Sequence, residues 1–315
     1  MATYQTYTAI GQREDLSDVI YNISPTETPM MSSIGKTKAT AVYHEWQTDS
    51  LASAALNVTV EGATASDITI SPTTRVGNRC QISQKTIKIS NTLQAVDKAG
   101  RKSEKAYNLA KASAEIKRDM ELTLLSNQVA TNGNSSTARA LGGLQAWLAT
   151  SYSGGTSGVA GASGTTARTN GTNRTFTEAI LQSVVKSVYT AGGNPKILMV
   201  TPAHKQTVSG FAGIAAQRYM APSNAPTTII GAADVYLSDF GTLSVVPSRF
   251  MNSTNSADDV AFLLDPDMAA VAYLRPFQTN ELAVTGDNES TQLLCEYTLE
   301  VRNEAAHGII ADITP

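Results

Sequence analysis

Charge is scarce in this sequence: Asp, Glu, Lys and Arg make up 16% of 315 residues, against about 25% in an ordinary soluble domain. Aromatic residues are 6%, and small uncharged polar residues fill the gap. With 42% hydrophobic residues the chain is too apolar and too weakly charged to be disordered. Its apolar runs, such as Lys196–Val200 and Val260–Leu264, are far shorter than a membrane span. The two cysteines, Cys80 and Cys295, are too few for a disulfide scaffold and lack Cys-x-x-Cys spacing, so each reads as a small apolar residue. The N-terminus has no basic segment followed by an apolar one, which excludes a secretory signal and makes the cytoplasm the expected compartment. A low-charge surface fits a protein whose surface other proteins cover.

Chemistry is also missing. The three histidines, His44, His204 and His307, lie in separate segments with no i, i+4 pairing, so each is expected to be structural. Gly35-Lys-Thr37 resembles the end of a phosphate-binding loop, but Met30 stands where that loop needs glycine. No Gly-x-Ser-x-Gly elbow occurs. Asp265-Pro-Asp267 and Asp287-Asn-Glu289 fit polar turns better than calcium loops. The expectation is a protein with no catalytic residues, no metal site and no cofactor.

What is present is a mixed α+β pattern. Residues 1–35 are irregular and punctuated by Pro25, Pro29 and Gly35, as in an arm lying on something else. Residues 39–94 read as β, with candidate strands at Ala41–Trp46 and Thr86–Ser90 and short β-branched runs at 57–60 and 68–70. Apolar residues are too thin there for a core of their own, so an extended hairpin that packs on a partner is expected. Residues 101–128 carry a helical stripe of Ala106, Leu109, Ala110, Ile116, Met120 and Leu124. Residues 150–175 are almost entirely Gly, Ser, Thr and Asn and read as a flexible surface insertion. An α/β stretch follows from Thr177, with helices after Thr177 and Thr201 and strands at 196–200, 234–237, 243–246 and 260–264. Residues 268–303 read as a long hairpin with its tip at 285–290, and a last short strand falls at 308–313.

The net charge of −3 conceals an asymmetry. Residues 1–100 hold 8 basic and 9 acidic side chains, residues 101–175 hold 9 and 4, and residues 176–315 hold 7 and 14. A basic middle and an acidic end suit attraction between copies of the chain. They equally suit ordinary solvated helix faces, and the basic excess is weak for a dedicated nucleic-acid binder.

Several segments together carry a resemblance. They are Arg13–Met30 (REDLSDVIYNISPTETPM), the spaced set Leu141-Gly-Gly-Leu144, Thr177-Glu-Ala179 and Asn194-Pro195, and a C-terminal series. That series runs Leu264-Asp-Pro266, Leu274-Arg-Pro276, Gly286-Asp287 and Glu296–Glu304 (EYTLEVRNE). In this order and over nearly the whole chain, they resemble the major capsid proteins of tailed double-stranded DNA phages of the Hong Kong 97 lineage.

The resemblance implies an α+β Hong Kong 97-type capsid fold. Residues 1–35 would be the N-arm, with contacts from Arg13, Asp15, Ile20 and Tyr21. Residues 36–95 would be the extended loop over a neighbouring subunit, with Lys36, Lys38, Trp46, Lys85 and Lys88 in or near that contact. Residues 96–140 and 262–305 would form the peripheral domain around a long spine helix, and 141–261 with 306–315 the axial domain. Lys102, Lys105, Lys111, Lys117 and Arg118 would be interior, DNA-facing residues or, equally, solvated helix surface. The lysines of the loop would be crosslinking candidates or edge-strand protection.

The implied partners are other copies of the chain in pentamers and hexamers, a separate scaffolding protein, a portal, possible decoration proteins and non-specifically held double-stranded DNA, with no membrane. The implied location is the virion capsid, assembled in the host cytoplasm. The competing readings are an encapsulin-like compartment shell and a soluble α/β hydrolase or binding module.

Overall fold

The computed structural model describes residues 24–65, 67–97, 102–211 and 234–315. The expected arm contacts Arg13, Asp15, Ile20 and Tyr21 lie outside the described residues. The described residues begin with a single helical turn α1 (Pro29–Ser33), strands β1 (Gly35–Lys38), β2 (Tyr43–Thr48), β3 (Thr74–Arg79) and β4 (Gln81–Ser90), and a short helix α2 (Asn91–Ala95). The long helix α3 (Glu104–Leu124), strands β5 (Tyr152–Ser153) and β6 (Arg174–Thr175), helix α4 (Glu178–Thr190), strand β7 (Ile197–Val200) and helix α5 (Pro202–Ser209) come next. Strands β8 (Val235–Ser238), β9 (Gly241–Pro247), β10 (Ala261–Leu264), β11 (Ala269–Glu281), β12 (Asn288–Val301), β13 (Gly308–Ile310) and β14 (Ile313–Thr314) complete it.

Two sheets organise the fold. One has the order β1-β11-β12-β4 and is built on the long antiparallel β11–β12 hairpin. Its register slips between Tyr273 and Gln278, around Pro276, which has no N–H to give to a ladder. β1 pairs β11 only as far as Tyr273, so Pro276 lies where β11 has become an edge. The other sheet has the order β5-β13-β10-β7-β9-β8.

That second sheet explains the continuous apolar runs at 197–200 and 261–264, because both of its faces are covered. Met199, Phe262, Leu264 and Ile309 join the larger core, together with Ile116, Met120 and Leu124 of α3 and Tyr297 and Leu299 of β12. Leu198, Val200, Leu263 and Ile310 face the other way, into a second core with Leu181, Val184, Val185 and Val188 of α4. α3 starts where Ser103 Oγ accepts the Ala106 N–H and Glu104 sits in the first turn. It ends at Leu124, short of the expected 128, because the chain leaves to bond elsewhere: Gly143 N–H to Gln128 and Ala130 N–H to Gly164.

Three expectations differ from the structure. The paired hairpin is limited to β2 with β3, while β1 and β4 are the two edges of the first sheet. The β-branched runs at 57–60 and 68–70 form no strand, since nothing pairs with them. The segment 150–175 is not a loose insertion: Arg168 is buried within it, and β5 and β6 pair in parallel with β13 and β14. Its small residues permit close packing against the Leu141–Leu148 turn, where a Cβ on Gly142 would stand 2.6 Å from the Gly164 carbonyl oxygen.

Candidate assembly surfaces

Beyond Thr48 and Thr74 the β2–β3 hairpin opens into an apolar tip. Leu51, Leu56, Val58, Val60, Ile68 and Ile70 keep between 80% and 98% of their surface exposed. Burying one such side chain contributes about 1.5–3 kcal/mol, so six of them represent on the order of 10 kcal/mol left unused by a single subunit. The span between Thr48 and Thr74 holds Asp49, Glu61 and Asp67 and no Lys or Arg, so the tip is acidic as well as apolar.

The root of this hairpin, by contrast, is fixed to its own chain. Trp46 packs on Trp147 with ring centroids 5.5 Å apart. His44 Nε2 lies 3.0 Å from Glu300 Oε2, and Thr37 Oγ1 donates to the same oxygen at 2.8 Å. Burial alone would raise the pKa of Glu300, but the bonds from His44, Thr37 and Arg302 outweigh it and hold the carboxyl below its ordinary range. Trp46, which is only partly buried, thus braces the root of the hairpin on its own chain.

Glu300 is one of three acids in and just after β12 that each hold a separate segment. Glu296 is buried between Arg139, whose Nη2 donates to it, and Arg275, whose Nε donates at 2.7 Å. Glu304 accepts the N–H groups of Ala149 and Thr150, both at 3.1 Å. The acids of the Glu296–Glu304 motif thus act as fasteners for residues 139, 37–44 and 149–150, a role that strand alternation by itself does not reveal.

A fourth carboxylate holds the start of the described chain. Glu121 of α3 is fully buried, and its two oxygens accept the N–H groups of Met30 and Met31 at 2.6 and 2.9 Å. Burial pushes its pKa up to about 7, against the opposing effect of the two backbone bonds. No spacing rule picks out this residue; a carboxylate on the apolar stripe of α3, one residue after Met120, is the signal that was there to find.

Arg168 anchors the Gly/Ser/Thr-rich segment. Its guanidinium donates to Asp312 at 2.9 Å, Asp259 at 3.1 Å and Gln145 at 3.2 Å, and the side chains of Arg168 and Asp312 are wholly buried. Asp312 adopts a left-handed φ of 58° and also accepts the Gly155 N–H at 2.8 Å. The signal in the sequence was a lone pair of arginines, Arg168 and Arg174, in an otherwise uncharged stretch.

The five basic residues of the long-helix region do not form one patch. Lys105 is held by Glu281 at 2.9 Å and Glu289 at 3.2 Å, which ties α3 to the β11–β12 hairpin. Lys111 and Arg118 share a groove with Ser24, Thr26 and Tyr107, and Arg118 lies over the Phe250 ring at 5.7 Å. Lys117 lines a different recess, and Lys102 is exposed before the helix begins. Lys36 and Lys38 stand exposed on edge strand β1 and Lys88 on edge strand β4. Lys85, also on β4, is engaged by Glu115 and Asp119 of α3 at 3.0 and 3.2 Å.

Among the described residues no cluster of three or more His, Cys, Asp or Glu side chains suits a metal ion, and no helix is long and apolar enough to cross a membrane. Burial pushes the Cys80 thiol up to about 11 and the Cys295 thiol up to about 12.

The comparisons with known proteins give one family model and one fold. A family model described as SU10 major capsid protein matches residues 2–314. The major capsid protein of Escherichia phage Phieco32 is 29% identical, over 98% of this chain and 96% of that one. Among solved structures, the Cyanophage A-1(L) capsid asymmetric unit superposes with a TM-score of 0.69 at 15% identity, covering 96% of this chain and 98% of that one. The SrpI encapsulin of Synechococcus elongatus PCC 7942 superposes with a TM-score of 0.57 at 12% identity, covering 99% and 96%. At these identities the structural likenesses establish the Hong Kong 97-type fold, which capsids and encapsulins share.

Proposed function

The chain belongs to the SU10 major capsid protein family, and from that premise we propose how its segments divide the work of building a shell. It is a phage major capsid protein, and copies of it form the capsid wall. The subunits group as pentamers and hexamers that close around double-stranded DNA. Residues 1–35 serve as the arm and 36–95 as the extended loop. Residues 96–140 with 262–305 form the peripheral domain, and 141–261 with 306–315 the axial domain.

The observation that carries this reading is the hairpin tip. Six aliphatic side chains exposed to that degree have no stable place in water, and closed rings of identical subunits cover such a surface without a large core in each subunit. The exposed lysines Lys36, Lys38 and Lys88 protect the sheet edges until neighbours cover them. Lys111 and Arg118 are the best-placed basic pair for the packaged duplex, because Lys105 is occupied by Glu281 and Glu289. A separate scaffolding protein, a portal and decoration proteins complete the particle, which assembles in the host cytoplasm.

Size-exclusion chromatography and negative-stain microscopy of the purified chain test the assembly. Capsomer-sized rings or closed shells are expected. A monodisperse monomer that stays monomeric with scaffold and DNA present would refute the reading.

A further inference from the structure

No sheet ladder joins the root of the extended loop to the rest of the subunit: β2 and β3 pair with each other and, among the described residues, with no other strand. A ribbon held only at its root can tilt, so side chains must set its direction. Asn78 of β3 does this most completely. It is wholly buried, and its Nδ2 donates to the carbonyl oxygens of Gly142 at 3.0 Å and Leu299 at 2.8 Å. Its Oδ1 accepts the N–H groups of Gly142 at 2.8 Å and Arg79 at 2.9 Å. That is the full capacity of a primary amide. We propose that Asn78 is a positioning residue for assembly: it fixes the angle at which the extended loop leaves the subunit, and that angle keeps the shell uniform in size.

The inference rests on the shell reading and assigns within it the residue that aims the loop, wherever the tip lands. The bonds to Gly142 and Leu299 tie β3 to two separate elements. The ladder between β12 and β4 ends at the Tyr297–Gln81 pair, so the amide takes up a β12 carbonyl just past that end. Gly142 is a firm base, because its turn packs on Gly164 too closely to admit a Cβ. The Gly142 carbonyl also accepts Trp147 Nε1 at 3.2 Å, and Trp147 packs against Trp46 of β2. Both strands of the ribbon are thereby referred to one turn. The other contacts at the root are less directional: the tryptophan rings meet without a hydrogen bond between them, and His44 reaches Glu300 through one bond. Length makes the angle matter. The six paired residues of each strand extend about 20 Å, so a tilt of about 10° at the root moves their far end by about 3–4 Å. That is the full length of a hydrogen bond, and a head-to-tail contact repeated with such an error does not close.

The test compares full-length Asn78→Ala with Val188→Ala, which opens the α4 core away from the loop. Each variant is assembled at the same interval below its own melting temperature, so that lost stability alone affects both equally. Electron microscopy then measures particle diameters. Val188→Ala is expected to keep a single shell diameter. Asn78→Ala is expected to give about tenfold fewer shells of that diameter, the equivalent of one net hydrogen bond, with open sheets and off-size particles in their place. Direction is read separately from nitroxide labels at Gln47→Cys on β2 and Lys186→Cys on α4, the native Cys80 and Cys295 being buried. The distance between the labels is expected to spread by about 3–4 Å more in Asn78→Ala than in wild type, as a tilt of about 10° requires. Asn78→Ser, which keeps one hydroxyl, should show the same two effects to a lesser degree. Unchanged diameters or an unchanged label distance in folded Asn78→Ala would overturn the inference while the shell reading stands. A chain that folds with neither substitution would overturn it too, by showing a role in folding instead of aim. A wild-type chain that forms no assembly under any condition would overturn both.

Discussion

Replacing Glu121 by glutamine separates the charge of this buried group from its shape. In the folded chain its pKa stands at about 7, against 4.5 for the free side chain, because burial disfavours the carboxylate more than Met30 and Met31 favour it. The folded state therefore binds more protons than the unfolded state between those values. The stabilising effect of the proton is complete below about pH 4.5 and is lost as pH rises through about 7. At 1.36 kcal/mol per unit, the contribution across that window is about 3 kcal/mol. Glutamine carries no charge to bury, but its amide nitrogen only donates, so one of the Met30 and Met31 N–H groups loses its acceptor at every pH. Glu121→Gln should then carry a pH-independent deficit of about 1–3 kcal/mol for the unpaired N–H and recover about 3 kcal/mol on wild type between about pH 4.5 and 8.

Urea unfolding of the soluble subunit, followed by tryptophan fluorescence at several pH values, measures that difference. Subtracting the two curves removes the effects of His204, His307 and Asp259, whose pKa values are also displaced. Parallel curves from pH 5 to 8 would refute the reasoning. A variant that loses stability at pH 8 would show that the two backbone bonds to the carboxylate outweigh the burial of its charge.

Three further outcomes follow from the same geometry. Arg168→Met leaves the buried Asp312 and the partly buried Asp259 without their cation and should cost about 3–5 kcal/mol in chemical unfolding, with Asp312→Ala adding little in that background; a loss below about 1 kcal/mol would contradict the buried network. Cys80 and Cys295 should resist a thiol reagent at pH 8 in the folded chain and react at once in denaturant, since burial keeps both protonated. Lys111→Ala with Arg118→Ala should weaken non-specific DNA binding by capsomers and reduce its salt slope by about 0.9 for each phosphate no longer neutralised. Lys105→Ala should leave that slope unchanged, because Glu281 and Glu289 occupy its ammonium group.

The contrast between these residues marks how far sequence alone reaches. Local rules placed the apolar stripe of α3, the buried runs of β7 and β10, the β11–β12 hairpin and the thin apolar content of residues 39–94, because each depends on neighbours a few residues away. The low overall charge, likewise, already implied a surface meant to be covered. Tertiary structure alone decided where the ionic groups are used. Arg168 meets Asp312 across 144 residues and Glu121 meets Met30 across 91. Lys105 is engaged by Glu281, 176 residues further along the chain. A charge in sequence carries no record of its partner, and only the folded chain distinguishes a lysine left on the surface from one held by acids brought from elsewhere. For the same physical reason the Gly/Ser/Thr-rich segment looks unstructured in sequence and is ordered in the fold: its stability comes from distant groups that close around Arg168.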